Sequence, residues 1–343
     1  MCPRNLLDLA KRTEQKGWPR KGRGLGVRKH SRFLVALLCA AAMQSLVAPA
    51  LFAQTVTTSV DRSQLVQAQT QGPSYASGGV EDGHIAASPN DADIGEQQIS
   101  QAAPQYLPFS AWLGTPVFYT SNVALTPSDE KADVIFAPAV SLSYDPKITP
   151  TLYGHLGARE QIFYYGKYTT FDFGSLDCEA GLTYFVPQWH NLMLRGWYDF
   201  NRLTEGDQLG DDFFSNQGLI LNAEVPFPVG HTAQLSIGTA TNLSLGADHQ
   251  SPRRNDYGGY LTYSLGLTRQ FSIYVSGSFV ARDYHQNGRT DLSEIVSASA
   301  VYRVNNWCSI SAIGSFAHSD SNQDAFDYNV GDAGGALEFS VRF

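Results

Sequence analysis

Residues Ala336 to Phe343 read AlaLeuGluPheSerValArgPhe, and they sort onto two faces. Leu337, Phe339, Val341 and Phe343 share one side of an extended strand, while Ala336, Glu338, Ser340 and Arg342 share the other. That period of two marks a β-strand with one apolar face. An apolar side that includes Phe343 suits a strand sealing a barrel against lipid. An amphipathic edge strand of a soluble sandwich would show the same eight residues, so the rest of the chain has to decide.

From about Ala111 onwards the pattern recurs. Val134, Phe136, Val140, Leu142 and Tyr144 alternate with Ile135, Ala137, Ala139, Ser141 and Ser143. Leu176, Cys178, Ala180, Leu182 and Tyr184 alternate with Asp177, Glu179, Gly181 and Thr183. Leu194, Tyr198 and Phe200 oppose Arg195, Trp197 and Asp199, and similar runs lie around Leu235–Leu245, Tyr257–Leu267 and Phe271–Phe279. Weaker runs fall near 116–124, 151–166, 216–226, 291–304 and 307–317. The total is about twelve strands, at the roughly 20 residues per strand and connection that a membrane barrel requires.

The connections alternate in kind. Polar stretches at 204–212, 248–255, 285–291 and 318–328 read as long loops, whereas 187–191, 226–231, 269–270 and 304–306 read as tight turns. A soluble sandwich has no reason to alternate in this way, while an outer-membrane barrel does, with short periplasmic turns and longer outer loops. Aromatic residues gather near both sets of connections, among them Tyr144, Trp189, Phe271, Trp307 and Phe343 beside the tight turns, and Tyr164, Phe213 and Tyr284 beside the long loops. Amphipathic rings favour the two headgroup levels. The expected fold is therefore an all-β, transmembrane antiparallel β-barrel, with both termini on the periplasmic side.

Two stretches add a resemblance. Ala336–Phe343 is similar to the closing strand of bacterial outer-membrane β-barrels, whose final aromatic residue the insertion machinery reads. Glu338 stands where such signals often carry Gly. The resemblance implies that Phe339, Val341 and Phe343 form an assembly signal and that the barrel-insertion machinery is a partner. Gly114 to Tyr144 resembles the opening hairpin of a family of largely uncharacterised, porin-like Gram-negative outer-membrane barrels. Some of its relatives accompany exopolysaccharide or surface-protein sorting systems.

Charge divides the chain. Ten of the 24 Lys and Arg lie in residues 1–53 against two acids, which leaves 14 bases and 30 acids from residue 54 onwards. That balance excludes nucleic acid as a partner, which would require a basic patch. Arg28, Lys29 and Arg32 precede the apolar run Phe33–Val47, and AlaProAlaLeuPheAla offers small residues for cleavage after Ala53, so residues 1–53 read as a signal peptide. The stretch before Arg28 is long for an n-region, which means an extended signal or a true start further downstream, for example at Val27. Residues 54–105 are rich in Gln, Ala, Ser and Gly with no periodicity, and read as a disordered periplasmic leader. The barrel then occupies 106–343. Of the four cysteines, Cys178 and Cys308 fall on the apolar face, too far apart around the barrel to be bridged, and are expected as free thiols. Glu160 and Glu294 fall on the same face, and should lie near a rim or mark a bulge.

If the apolar face meets lipid, the other fills the lumen. Much of it is small and polar, as at Ser236, Ser244, Thr262, Ser276, Ser297 and Ser311. The third to sixth strands instead carry a charged belt of His155, Arg159, Asp177, Glu179, Arg195, Asp199 and Glu224. The belt can brace the wall with cross-strand ion pairs, or it can form a constriction in which acids face bases across a pore and sort solutes. The expected function is a passive pore for small hydrophilic solutes, with outer-membrane lipid around it and no cofactor or metal. The alternative is a non-conducting anchoring barrel linked to envelope or exopolysaccharide assembly. A remote alternative is an outer-membrane phospholipase, because that family carries a His followed closely by Ser-Asn-Gly. Here His285–Arg289 has no serine and reads as a turn around Asn287–Gly288, while His318–Asn322 lacks the Gly, so no enzyme is expected.

Overall fold

The structure, a computed structural model, describes residues 56–66, 106–206 and 211–343. The signal segment expected over 1–53 and most of the 54–105 leader lie outside the described residues. Strands run in order β1 (Phe109–Gly114), β2 (Val117–Thr120), β3 (Asp133–Phe136), β4 (Ala139–Tyr144), β5 (Leu152–Tyr165), β6 (Phe173–Val186), β7 (Leu192–Glu205), β8 (Asp212–Val229), β9 (Ala233–Asp248), β10 (Arg254–Gly266), β11 (Phe271–Tyr284), β12 (Thr290–Asn305), β13 (Cys308–Ser321) and β14 (Tyr328–Arg342). From β5 to β14 each strand pairs antiparallel with the next.

The first four strands are two staves, each cut once. Proline interrupts a ladder because it has no N–H to donate, and Pro116 and Pro138 lie in the two gaps. The carbonyls still serve, since Pro116 accepts from the Ala137 N–H at 2.9 Å and Pro138 from the Ile162 N–H at 3.0 Å. β1 and β2 both pair with β14, and Phe109 and Phe343 exchange N–H···O bonds of 3.1 and 3.0 Å. The sheet therefore closes as a twelve-stave antiparallel barrel.

The alternation read from the sequence holds around the ring. Leu337, Phe339 and Val341 point outward on β14, while Tyr328, Val330, Asp332 and Ala336 are buried inside. The outer surface is the apolar one, with Leu142 58%, Phe279 57% and Phe316 53% exposed. Water would penalise such a continuous apolar band, whereas lipid accepts it. Rings stack at the Phe343 rim, where Phe109 lies 4.5 Å from Tyr144 and 5.7 Å from Phe343, and at the opposite rim, where Phe136 lies 6.3 Å from Tyr164. Cys178 and Cys308 are free. Glu160 and Glu294 face outward a few residues inside the rim opposite Phe343.

The connections at that opposite rim are shorter than the sequence reading expected. The stretch 318–328 contracts to a turn at Asn322–Asp327, and 285–291 to His285–Arg289, with Asn287 and Gly288 at φ of 63° and 58°. Beyond the lipid band an outward side chain need not be apolar, so strands continue through sequence that looks like loop. The opening connection, 121–132, is the exception. It folds inward and buries Asn122, Val123 and Leu125.

Residues 56–66, within the stretch read as a leader, form an α-helix inside the barrel. Val56, Val60 and Val66 pack with Phe118, Ile135, Phe163, Phe173, Leu203 and Phe214 from β2, β3 and β5–β8. Leu65 packs with Leu125, Ala317, Tyr328 and Val330 from the inward loop, β13 and β14. A body that touches staves on all sides of a closed sheet lies within it. Helices shorter than about 12 residues are marginal alone, and Val and Thr are weak helix formers. The inner wall, contributed by residues far away in sequence, supplies what the local sequence lacks.

Candidate functional site

The candidate site is the lumen, and its chemistry is concentrated on adjacent staves. Side chains two apart on a strand share a face, so the odd-numbered residues of β5, β6 and β7 point inward together. Arg159 pairs in register with Asp177, and Glu179 with Asp199. His155 lies one step nearer the Phe343 rim, with Nδ1 2.6 Å from Asp145 Oδ1 and Nε2 3.3 Å from Glu179 Oε2. Asp177 accepts from the Asn201 amide at 2.6 Å, and the Arg159 guanidinium lies 5.2 Å from the Trp112 ring. All seven belt residues expected in the lumen are on the inner face, and five of them form one patch. Opposite charges stand opposite one another on neighbouring staves, as Arg159 does to Asp177. Glu224 stands apart, buried, accepting a 2.8 Å hydrogen bond from the Tyr260 hydroxyl. Arg195 lies 5.3 Å from the Trp197 ring.

Trp197 shows how the wall is shaped. Its ring stacks on His155 at 4.2 Å, reaching across β6 over Gly181, its register partner. A Cβ on Gly181 would come within 2.4 Å of Trp197 Cδ1 and 2.2 Å of the Gly196 carbonyl oxygen. The bare backbone at Gly181 is what lets the indole lie flat along the wall.

Near the rim opposite Phe343, the helix is fastened by two buried ion pairs. Arg62 reaches Asp332 at 3.3 Å and donates to the carbonyl of Asn122 at 2.6 Å, with Thr58 donating to Ala124 O at 3.1 Å. Asp61 accepts from Arg254 at 2.6 Å and lies 3.9 Å from Arg282. Gln64 Oε1 accepts from Arg254 at 2.7 Å. The inward loop 121–132 and the helix thus lie together within this end of the lumen. None of these partners was legible in the sequence, because the pairings span 60 to 270 residues.

Burial pushes the Asp61 carboxyl up, but Arg254, Arg282 and Arg289 around it prevail and hold it below its ordinary value. A depressed carboxyl supports the docked helix fully above its ordinary pKa of about 4, and that support is lost as pH falls through the lowered value. Amide exchange protection across residues 56–66, corrected for intrinsic rate, is expected to be high at neutral pH and to fall in strong acid. In the Asp61→Asn variant it should already be low at neutral pH. Equal protection at both pH values in the parent would show that this ion pair does not hold the helix.

The serine–histidine pairing that a phospholipase would need is not assembled at His318. Its imidazole faces outward, 2.8 Å from Asn329 Oδ1, while Ser319 faces inward and bonds Ser293 at 2.9 Å.

No protein-family model and no curated protein sequence matches the chain. Among solved structures it is similar to an outer membrane channel from Pseudomonas putida F1, with a TM-score of 0.51 and 10% identity over 72% of this chain and 99% of that one. The translocator domain of the autotransporter NalP from Neisseria meningitidis follows at a TM-score of 0.39 and 12% identity, over 70% of this chain and 90% of that one. LpxR from Salmonella typhimurium has a TM-score of 0.39 and 10% identity over 66% and 99%. At 10% identity the likeness to the Pseudomonas putida channel is one of fold. The chain has the fold of an outer-membrane β-barrel.

Proposed function

We propose that this protein is an outer-membrane channel for small hydrophilic solutes, held closed by its own 56–66 helix. The observation that carries the reading is the match between that helix and the bore. Twelve strands spaced ~4.8 Å apart and tilted ~40° give a backbone diameter of ~24 Å, and inward side chains leave about the 10–12 Å width of one helix. Beyond the helix the wall is lined by small polar residues such as Ser236, Thr262, Ser276 and Ser311, a lining suited to water. The rim bearing Phe343 is periplasmic in this reading, with Phe339 and Val341 on β14 and Phe343 just past its end presented to the insertion machinery.

One observation favours the rival reading of a non-conducting anchor. The helix buries valines against Phe118, Phe163, Phe173 and Phe214, an apolar contact of the kind that holds a permanent plug. Planar-bilayer recording of the full chain separates the two. A channel gives discrete openings, sparse at neutral pH, and a correctly folded barrel silent at every voltage supports the anchor.

The open state should prefer cations, because the inward acids Asp177, Glu179, Asp199, Glu224 and Glu338 outnumber the inward bases His155, Arg159 and Arg195 of the belt. Replacing Asp177 by Asn and Glu179 by Gln together is expected to lower the cation-to-anion permeability ratio several-fold in reversal-potential measurements. An unchanged ratio would place the ion path elsewhere.

A further inference from the structure

Beneath the helix, against the β6–β10 wall, lies a cavity of about 180 Å³. Its polar side carries Asp177, Glu179, Asp199 and Asn242, and its apolar side Val60, Phe214 and Ile220. Three of the four carboxylates on this lining are occupied. Asp177 holds Asn201, Glu179 holds His155, and Asp256 holds Arg254 at 3.0 Å, which is itself committed to Asp61. Asp199 is different. It is only 7% exposed, and among the described residues no hydrogen bond or ion pair reaches its carboxylate. Its register partner is another acid, Glu179. The Asn242 Oδ1 acceptor on the same lining is also buried without a hydrogen-bond partner. An ionised carboxylate largely shielded from water, with another acid as its register partner, is costly unless a donor joins it. An open acceptor beside it marks a place where a donor of positive charge would be accommodated.

The arrangement selects among cations. Among the described residues no three His, Cys, Asp or Glu side chains converge as metal ligands. The acceptors are spread along a wall that faces an apolar surface, which suits an extended cation with N–H donors and a hydrocarbon body. We infer that this cavity binds a small aliphatic ammonium, with linear diamines as the class, and that Asp199 is its anchor. One nitrogen would lie at Asp199 and Glu179, with the methylene chain along Ile220 and Phe214. The inference rests on the reading of the lumen as a solute path, and it names the solute class that pauses there.

The test is calorimetric titration of the full-length protein in detergent micelles with 1,4-diaminobutane, and with 1,4-butanediol as the uncharged isostere. Saturable binding of the diamine alone is expected, weakened at least tenfold by Asp199→Asn. Without ligand and at pH 9, where the carboxyl is ionised, Asp199→Asn should raise the thermal midpoint, because it removes an uncompensated buried charge. Glu179→Gln provides a second variant and should weaken the diamine in the same direction. Equal behaviour of diamine and diol, or undiminished diamine binding by folded Asp199→Asn, overturns the site. Binding in micelles does not require conduction. Diamine binding by a barrel that never conducts would leave the site standing and remove the channel, whereas current without diamine binding would remove the site alone.

Discussion

Deleting residues 56–66 from the full chain should raise the mean current through reconstituted barrels by an order of magnitude or more. The helix fills about the width that twelve staves leave free, so its removal changes the cross-section available to ions and does not merely adjust a contact. The barrel should survive, since its closure rests on the β1 and β2 pairings with β14 and includes no helix residue. Retention of the heat-sensitive compact band on gels would verify that. The deletion leaves Phe118, Phe163, Phe173 and Phe214 facing the bore, and an apolar ring can dewet. Asp61→Arg in the full chain is therefore the companion variant. It sets a third guanidinium against Arg254 and Arg282, and breaking a buried pair in this way costs about 3–5 kcal/mol, enough to shift docking by a factor of ~10²–10³. Both variants should conduct at neutral pH where the parent is mostly silent. Two folded variants no more conductive than the parent would refute the closed-channel reading.

Gly334→Val should be the most damaging single substitution in the closing seam. Gly334 faces the lumen opposite Phe118, and a Cβ there would lie 2.2 Å from the Val117 carbonyl oxygen and 2.4 Å from Phe118 Cβ. Backbone cannot swing aside as a long side chain can, so the seam between β2 and β14 must part. Overpacking of this kind costs about 1–3 kcal/mol. Here it also displaces Phe118, which packs in the same cluster as the helix. The expected result is a lower urea midpoint together with weaker protection of residues 56–66. Gly331→Ala is the matched control, because a Cβ at Gly331 would meet only Ser121 Oγ at 3.8 Å. It should stay within about 0.5 kcal/mol of the parent. A parent-like midpoint for Gly334→Val would mean that the seam is looser than its geometry implies.

How much was legible differs from element to element. Leu337, Phe339 and Val341 could be placed on the lipid side from eight residues, because facing in a strand is a local property with a period of two. The inward set of β5–β7 followed from the same period, including Trp197. The continuation of β13 to Ser321 was hidden, since Ser319 and Asp320 look like loop until the lipid band is known to end before them. The bracing of the belt was hidden too. Alternation says which residues face the lumen, but register decides that Arg159 meets Asp177 on the next stave, and register depends on pairing.

The helix was the least legible element. Its stretch has only Val56, Val60, Leu65 and Val66 amid Thr, Ser, Gln and charged residues, and nothing in it announces a helix able to stand alone. Asp61 and Arg62 resemble solvated charges until Arg254, Arg282 and Asp332 are brought around them. The barrel, the face each strand turns to lipid and the small polar lining of much of the bore were legible in the chain, because those follow from a repeat of two residues and the chemistry of the solvent outside. The helix within the bore and the unpaired carboxylate on its wall emerged from the folded barrel alone. Both depend on side chains that closure of the sheet brings together from far along the chain.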